Sequence, residues 1–524
     1  MSGFFALVLH AHLPFVRHPD HERFLEESWL FEAVVETYLP LVRIMAGWVQ
    51  AGLQPRLTLS VSPTLCAMLR DPLLQERCAR YLATRIELAE KEVYRTHFNR
   101  ELRPLAEMYL EQFRRLLRTY DTLNRDLVGV LKNFQDRGVL ELISCAATHA
   151  VLPLLENHPP SLRAQILVGR DHHRACFGTD PVGIWLPECA YTQSLDAILR
   201  EANLRWFIVD THGLMQAHPP PRYGVQTPVF TPQGLAAFGR DRDSAEQVWS
   251  RNRGYPGDPR YRDFYRDIGF DLDLDYLDPY VPASHLRGAT GVKYYRITGP
   301  DSAKLVYDRA AALAATQEHA RHFLAERRRK FQLPVADLDR PPLVVAPYDA
   351  ELFGHWWFEG IEFLDAVVRG AWADANVIQM ITPTDYLRRY PTNPMTSPSP
   401  SSWGEGGYWR VWLNETNAWI QPQLLAAQQC MTELARRFSR PSGVTERALK
   451  QAARELLLAQ ASDWPFILHA QTSAEFARQR VLTHLQRFQD LYAGLTGPGV
   501  DEAALAAMEK INNLFPDVDY RHWA

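Results

Sequence analysis

Short apolar runs that end in polar residues recur through the first three quarters of the chain. The first is 4–10 (FFALVLH), followed by 56–61 (RLTLSV), 139–144 (VLELIS) and 182–187 (VGIWLP). Three more follow at 205–210 (RWFIVD), 343–346 (LVVA) and 377–381 (VIQMI). Each is short and rich in Leu, β-branched or aromatic residues, as a buried strand requires. Segments with helical spacing lie between several of them, including 28–48 and 193–202. Strand–helix alternation of this kind predicts a parallel α/β sheet or barrel.

Three stretches break the alternation. Residues 73–136 carry a long helical pattern between the second and third runs and predict a helical insertion. Residues 213–291 are rich in Gly, Pro, Tyr and Arg with few periodic segments, which predicts a long functional loop region. Residues 391–402 (PTNPMTSPSPSS) read as a Pro/Ser linker. Beyond it, 421–438, 445–461 and 474–495 have the 3.6-residue period, so 403–524 predicts a helical domain.

At 524 residues the chain is too long for one compact core. Lys+Arg 57 against Asp+Glu 61 gives a net charge of -4, too balanced to point to nucleic acid. No run approaches the roughly 18 apolar residues of a membrane span, so no membrane partner is expected. The apolar amino terminus lacks a basic flank, which fits a strand better than a signal peptide. The six cysteines are scattered without a CxxC pair, which fits a reducing cytoplasm better than a zinc knuckle. With 14 Trp, 21 Tyr and 24 Phe, the chain has aromatic surface to spare for ligand platforms as well as core.

Polar residues just past the strand ends carry the candidate chemistry, because that edge of a parallel barrel hosts active sites. His10 and His12 follow the first run, His149 the third, Glu188 the fourth and Asp210 the fifth; Asp349 and Glu351 follow the sixth. Glu188 and Asp349, on separate strand ends with aromatic neighbours, are the parts of a glycoside-cleaving pair. Each could instead be a carboxylate capping the next helix. His10-x-His12 places two imidazoles on one strand face, where they could hold a metal or hydrogen-bond a substrate hydroxyl or a carboxylate. No GxxxxGK[ST], GxSxG or dinucleotide fingerprint is present. Trp403, Trp409, Trp412 and Trp419 cluster after the linker, and Asp463-Trp464 sits on a later helix end; both suggest a sugar platform beside core packing.

The segments LHAHLPFVRHP, GIWLPECAY, APYDAELFGHWWFEG, SSWGEGGYWRVWLNETNAWI and ASDWPF, in this order, resemble glycoside hydrolase family 57 and, within it, the 1,4-α-glucan branching enzymes. The resemblance implies an α/β fold: an incomplete (β/α)7 barrel over 1–395 with the 73–136 insertion and the 213–291 loop region. A C-terminal all-helical domain over 403–524 would complete a glucan groove. It implies a retaining reaction on α-1,4-glucan that builds α-1,6 branches, with no cofactor and no metal. Glu188 matches the nucleophile and Asp349 the proton donor. His10, His12, Trp403, Trp412 and Asp463 match substrate-binding positions. So do Gly269 and Arg251, with Arg262 or Arg266 as the alternative to Arg251. Tyr223 matches a mobile-loop tyrosine associated with transfer over hydrolysis. The alternatives are an α-amylase or 4-α-glucanotransferase of the same family and, more remotely, a metal-dependent deacetylase or mannosidase using His10 and His12.

Overall fold

The computed structural model describes residues 2–250, 253–281, 286–299, 303–333 and 338–524. Nine strands form one sheet: β1 (Gly3–Ala11), β2 (Leu57–Val61), β3 (Leu140–Cys145), β4 (Gly183–Trp185), β5 (Trp206–Val209), β6 (Val229–Phe230), β7 (Ala236–Gly239), β8 (Leu343–Asp349) and β9 (Ile378–Met380). Seven run parallel in the order β7-β5-β4-β3-β2-β1-β8, with β6 antiparallel on the β7 edge and β9 also on β1. The sheet curls until its edges nearly meet, and a hydrogen bond from Asp241 N–H to the Val345 carbonyl (2.8 Å) spans the seam. The architecture is the incomplete seven-stranded α/β barrel.

Period-2 alternation decides what lines the interior. On β1, Phe4, Ala6 and Val8 face inward with Ile143 and Cys145 of β3, Trp206 and Ile208 of β5, Phe238 of β7, and Leu343 and Val345 of β8. The odd positions Phe5, Leu7 and Leu9 pack outward against the helices. Continuing the inward parity past each apolar layer brings up His10, Asp210, Arg240 and Asp349. The register pairs His10 with Asp349 on one side and with Ser60 on the other, so one level of the barrel turns polar at its C-terminal mouth.

The insertion forms helices Pro72–Arg95, Arg103–Thr122 and Leu127–Asp136. In the second, Leu105, Tyr109, Phe113, Leu116 and Tyr120 recur at three- and four-residue spacing and are all buried. The C-terminal region is helical, with Ile420–Arg437, Gly443–Ala459 and Ala474–Thr496 as its long members. Its core is continuous with the outer layer of the barrel.

Two segments differ from the sequence expectation. Residues 213–291 are not a single loop: they contain β6, the barrel strand β7 and helix Arg242–Trp249. The β7 sequence, Ala-Ala-Phe-Gly, has little β-branched or aromatic content because its small residues fit a crowded interior, so periodicity does not mark it. Residues 391–402 are not a free linker but a strap. Ser401 exchanges backbone bonds with Tyr191 (2.9 and 3.1 Å), Ser397 with His218 (3.0 Å each way), and Phe230 N–H reaches the Pro394 carbonyl (2.7 Å). Its prolines stand where no backbone donor is needed.

Candidate active site

Glu188 follows β4 in a tight turn with φ 61° and ψ 22°, the left-handed region a non-glycine residue rarely adopts. Trp403 clamps it twice: its backbone N–H donates to the Glu188 carbonyl (3.0 Å) and its indole N–H to Oε2 (2.8 Å). Oε1 accepts from the Ser462 hydroxyl (3.3 Å). Burial pushes the Glu188 carboxyl up to about 7, against the lowering effect of the Trp403 bond. Asp349, at the end of β8, is pushed well above the usual carboxylate range by burial and by the nearby Glu351 and Glu188 carboxylates. It makes no side-chain bond to the turn that follows, which removes the helix-cap reading.

A chain of polar groups runs behind Glu188. Ser60 Oγ lies 3.1 Å from His10 Nδ1, His10 Nε2 lies 2.9 Å from His149 Nε2, and His149 Nδ1 lies 2.8 Å from Ser462 Oγ. Burial lowers the pKa of both histidines, so each is neutral and carries one ring proton. The tautomers assigned by an ionised Glu188 then donate in one direction: Ser60 to His10, His10 to His149, His149 to Ser462, Ser462 to Glu188. His10 also stacks on Trp185 at 4.7 Å and His12 on His149 at 3.8 Å. His12 is held separately, Nδ1 by Ser62 Oγ (2.8 Å) and Nε2 by Asp463 Oδ1 (3.1 Å). Its backbone N–H donates to Glu351 Oε1 (3.1 Å), a carboxylate that also accepts from the Tyr38 hydroxyl.

These groups open into a cavity of about 840 Å³. Of the sequence-selected residues, His10, His12, His149, Glu188, Asp349, Glu351, Trp403 and Asp463 line it. Trp412 does not: it is buried behind the Trp403 loop, its ring so close beneath Gly404 that a Cβ there would lie 2.6 Å away. Gly269 is buried beside the wall, donates to Asp267 Oδ1 (2.8 Å), and leaves the lining to Phe270. A Cβ at Gly269 would stand 1.9 Å from the Gly288 carbonyl oxygen, so its small size serves packing. Tyr223 is buried outside the cavity, in the loop along the barrel seam where Gln226 accepts from Leu343 N–H (2.9 Å). Arg251 lies outside the described residues. Neither alternative replaces it in the cavity: Arg262 is buried against Phe358, and Arg266 pairs with Asp271 (3.1 Å).

The structure adds an opposite wall. Trp29, Glu32, Glu36, Phe264, Trp356 and Lys293 line it. Glu36 comes from a π-helical turn, Val34–Tyr38, between helices Glu27–Ala33 and Leu39–Gln50. One extra residue in that turn shifts the facing positions, a device common at functional sites. The sequence shows only a long amphipathic helix here. Burial raises Glu32 to about 7. Burial opposes charge on His355, but the Glu36 carboxylate 2.6 Å from its Nδ1 prevails and raises its pKa. Asp210 lines a neighbouring cavity of about 550 Å³ with His212 and Arg240, separated from the first by Trp249. The His173 side chain is buried within its helix layer.

One set of potential metal ligands stands out among the described residues: His10, Cys145 and His149, with ligand atoms within 4.8 Å of one another. Two imidazole nitrogens on one zinc-sized ion stand about 3.3 Å apart. The 2.9 Å between His10 and His149 is that of a direct N–H···N bond. His12, the other residue of the HxH pair, faces Asp463 and is not in this set.

Comparison with known proteins agrees with this geometry. A family model described as glycosyl hydrolase family 57 matches residues 6–398, and one described as 1,4-alpha-glucan branching enzyme, C-terminal, matches 423–523. A curated 1,4-alpha-glucan branching enzyme of Thermococcus kodakarensis is 32% identical over 521 residues, covering 94% of this chain and 73% of that protein. A crystal structure described as the novel alpha-amylase AmyC of Thermotoga maritima superposes with a TM-score of 0.94 at 40% identity, covering 100% of this chain and 99% of the other. The crystal structure of a family 57 branching enzyme from Thermococcus kodakaraensis gives 0.90 at 30% identity, covering 100% and 97%. With the family's pattern running from the inward histidine of β1 to the strap, and the barrel and helical domain superposing over their full length, the chain belongs to glycoside hydrolase family 57.

Proposed function

We propose that the protein is a 1,4-α-glucan branching enzyme that works by retaining double displacement. The observation that carries this reading is a pair of buried carboxylates, Glu188 and Asp349, lining one aromatic-walled cavity. Burial raises both carboxyls, and of the two it is Glu188 that receives hydrogen bonds favouring its ionised form, from the Trp403 indole N–H and the Ser462 hydroxyl. Glu188 is then the nucleophile: it attacks the anomeric carbon as Asp349 protonates the departing glycosidic oxygen, leaving a covalent glucosyl–enzyme. Asp349, now ionised, takes the proton of an incoming 6-hydroxyl, and that oxygen displaces Glu188 to give an α-1,6 branch. His10, His12, Trp403 and Asp463 hold the donor chain. The match of the C-terminal region to a branching-enzyme domain supports transfer over hydrolysis. This reading makes α-1,4-glucan the partner and, on six free thiols, a reducing cytoplasm the setting.

One observation favours a second reading, hydrolysis as in an α-amylase. Tyr223, the residue matched to a transfer-promoting loop, is buried away from the cavity, and the Thermotoga protein with the TM-score of 0.94 is described as an alpha-amylase. Product linkage separates the two. Purified protein is incubated with linear amylose, and reducing ends are counted before and after a debranching enzyme, with Glu188→Gln as control. Few new ends before debranching and many after establish branching. Ends that rise at once and do not increase on debranching establish an amylase.

A further inference from the structure

A second group of reactive side chains lies on the outer helical layer. Helix Pro63–Leu69 begins at Ser62, the partner of His12, and carries Cys66; helix Pro159–Phe177 packs beside it and carries His172 and Cys176. The Cys66 thiol, whose hydrogen-bond acceptor is the Val61 carbonyl (4.0 Å), is the neighbour that most strongly affects the Cys176 sulfur. The same sulfur has His172 Nε2 at 3.4 Å and the Arg70 guanidinium at 3.6 Å. Cys66 is buried and Cys176 is partly exposed, so the two differ in access as well as in neighbours.

Donors and a fixed cation converging on one sulfur stabilise its thiolate. The pair accordingly splits: Cys66, then His172 and Arg70, hold Cys176 well below the usual thiol range, while Cys176 and burial push Cys66 up. No other cysteine shares this setting. Burial raises Cys78, Cys145 and Cys189 in the core, and it also raises the partly exposed Cys430.

We propose that Cys66 and Cys176 are a reactive dithiol, a modification site at which Cys176 attacks a small-molecule disulfide and Cys66 resolves the adduct. In the first step the Cys176 thiolate bonds to one sulfur of the reagent, the reagent's S–S bond breaks, and one thiolate leaves. In the second, Cys66 gives its proton to solvent and attacks the Cys176 sulfur; the mixed disulfide breaks and a second thiolate leaves. The dithiol is oxidised by two electrons, the reagent is reduced to two thiols, and the new bond joins the two helices. His172 also packs on Phe515 at 4.9 Å, so the bridge forms where the barrel meets the C-terminal segment.

The test uses the whole protein and dithiobis-nitrobenzoate at about pH 6. The expected result is a fast phase that releases two thionitrobenzoate ions per chain, retains no adduct, and yields a 66–176 cross-linked peptide on mass analysis. Cys66→Ser should release one ion and keep the adduct on Cys176, and Cys176→Ser should lose the fast phase. Iodoacetamide labelling of the unsubstituted protein needs no variant to fold: Cys176 should react about fivefold faster than Cys430, full ionisation outweighing the lower nucleophilicity of an acidic thiolate. A fast phase that survives Cys176→Ser, or equal labelling of Cys176 and Cys430, overturns the proposal.

Discussion

The Glu188 carboxylate receives an indole N–H on one oxygen and a hydroxyl on the other while its backbone sits in a left-handed turn. These bonds favour the ionised form and burial opposes it, and burial prevails. Activity should follow a bell with its acid limb near pH 7, the apparent value belonging to the coupled carboxyl pair. Trp403→Phe keeps the ring but removes the N–H, so the acid limb should move upward by about half a unit or more; an unmoved limb would show that the indole bond does not tune the nucleophile. The same shift bears on stability. Between an ordinary 4.5 and about 7, folded Glu188 retains a proton that the unfolded chain has released, so stability falls as pH rises through that window and stays lowered above it. Glu188→Gln escapes that loss, which is on the order of 3 kcal/mol. The variant should lose at least about a thousandfold in turnover yet melt about 3 °C above the parent at pH 8. At pH 4 the advantage should vanish, which paired calorimetric scans would read.

Among the elements, the π-turn at Val34–Tyr38 and the segment after β8 depend on one another. Gly354 has φ 103°, and a Cβ there would stand 1.9 Å from the Glu36 carbonyl oxygen. Gly354→Ala should therefore cost about 3 kcal/mol or more from backbone strain and overlap together, and should raise KM by displacing the Glu36–His355 pair. Gly52→Ala is the matched control, since Gly52 has φ 71° with nothing within 4 Å of its Cβ; it should cost about 1 kcal/mol. Equal losses in the two variants would assign the effect to conformation alone. β1 and β8 were legible because their apolar residues alternate or run unbroken. The strap at 391–402 was not, since its Pro and Ser content looks the same whether its backbone bonds to water or to Tyr191, His218 and Phe230.

Across the whole molecule, the helical domain and the barrel share one core, and their seam is polar as well as apolar. Ser462 N–H donates to the His149 carbonyl (3.1 Å), Gln165 Nε2 to Gln460 Oε1 (2.8 Å), and the Trp523 indole to Ser161 (2.9 Å). Calorimetry should accordingly show a single cooperative transition; two resolved transitions would contradict the shared core. Asp463→Ala tests the domain's part in the cavity: KM for amylose should rise about tenfold with little change in melting temperature, because His12 loses its partner while the core is untouched.

The apolar runs of β1 and β8 already determined that His10 and Asp349 would lie at strand ends, and the motif around Glu188 placed a carboxylate after β4. Helical periodicity likewise marked the insertion and the C-terminal bundle, because these patterns are local and each residue's neighbours in sequence are enough to set them. Tertiary structure alone decided that Ser462 would reach Glu188, that Glu32 and Glu36 would face the cavity, and that Tyr223 and Trp412 would stand outside it. It also decided the protonation of the pair. Those outcomes depend on which distant segments pack together and how much water they exclude, and both charge and access are properties of that packing.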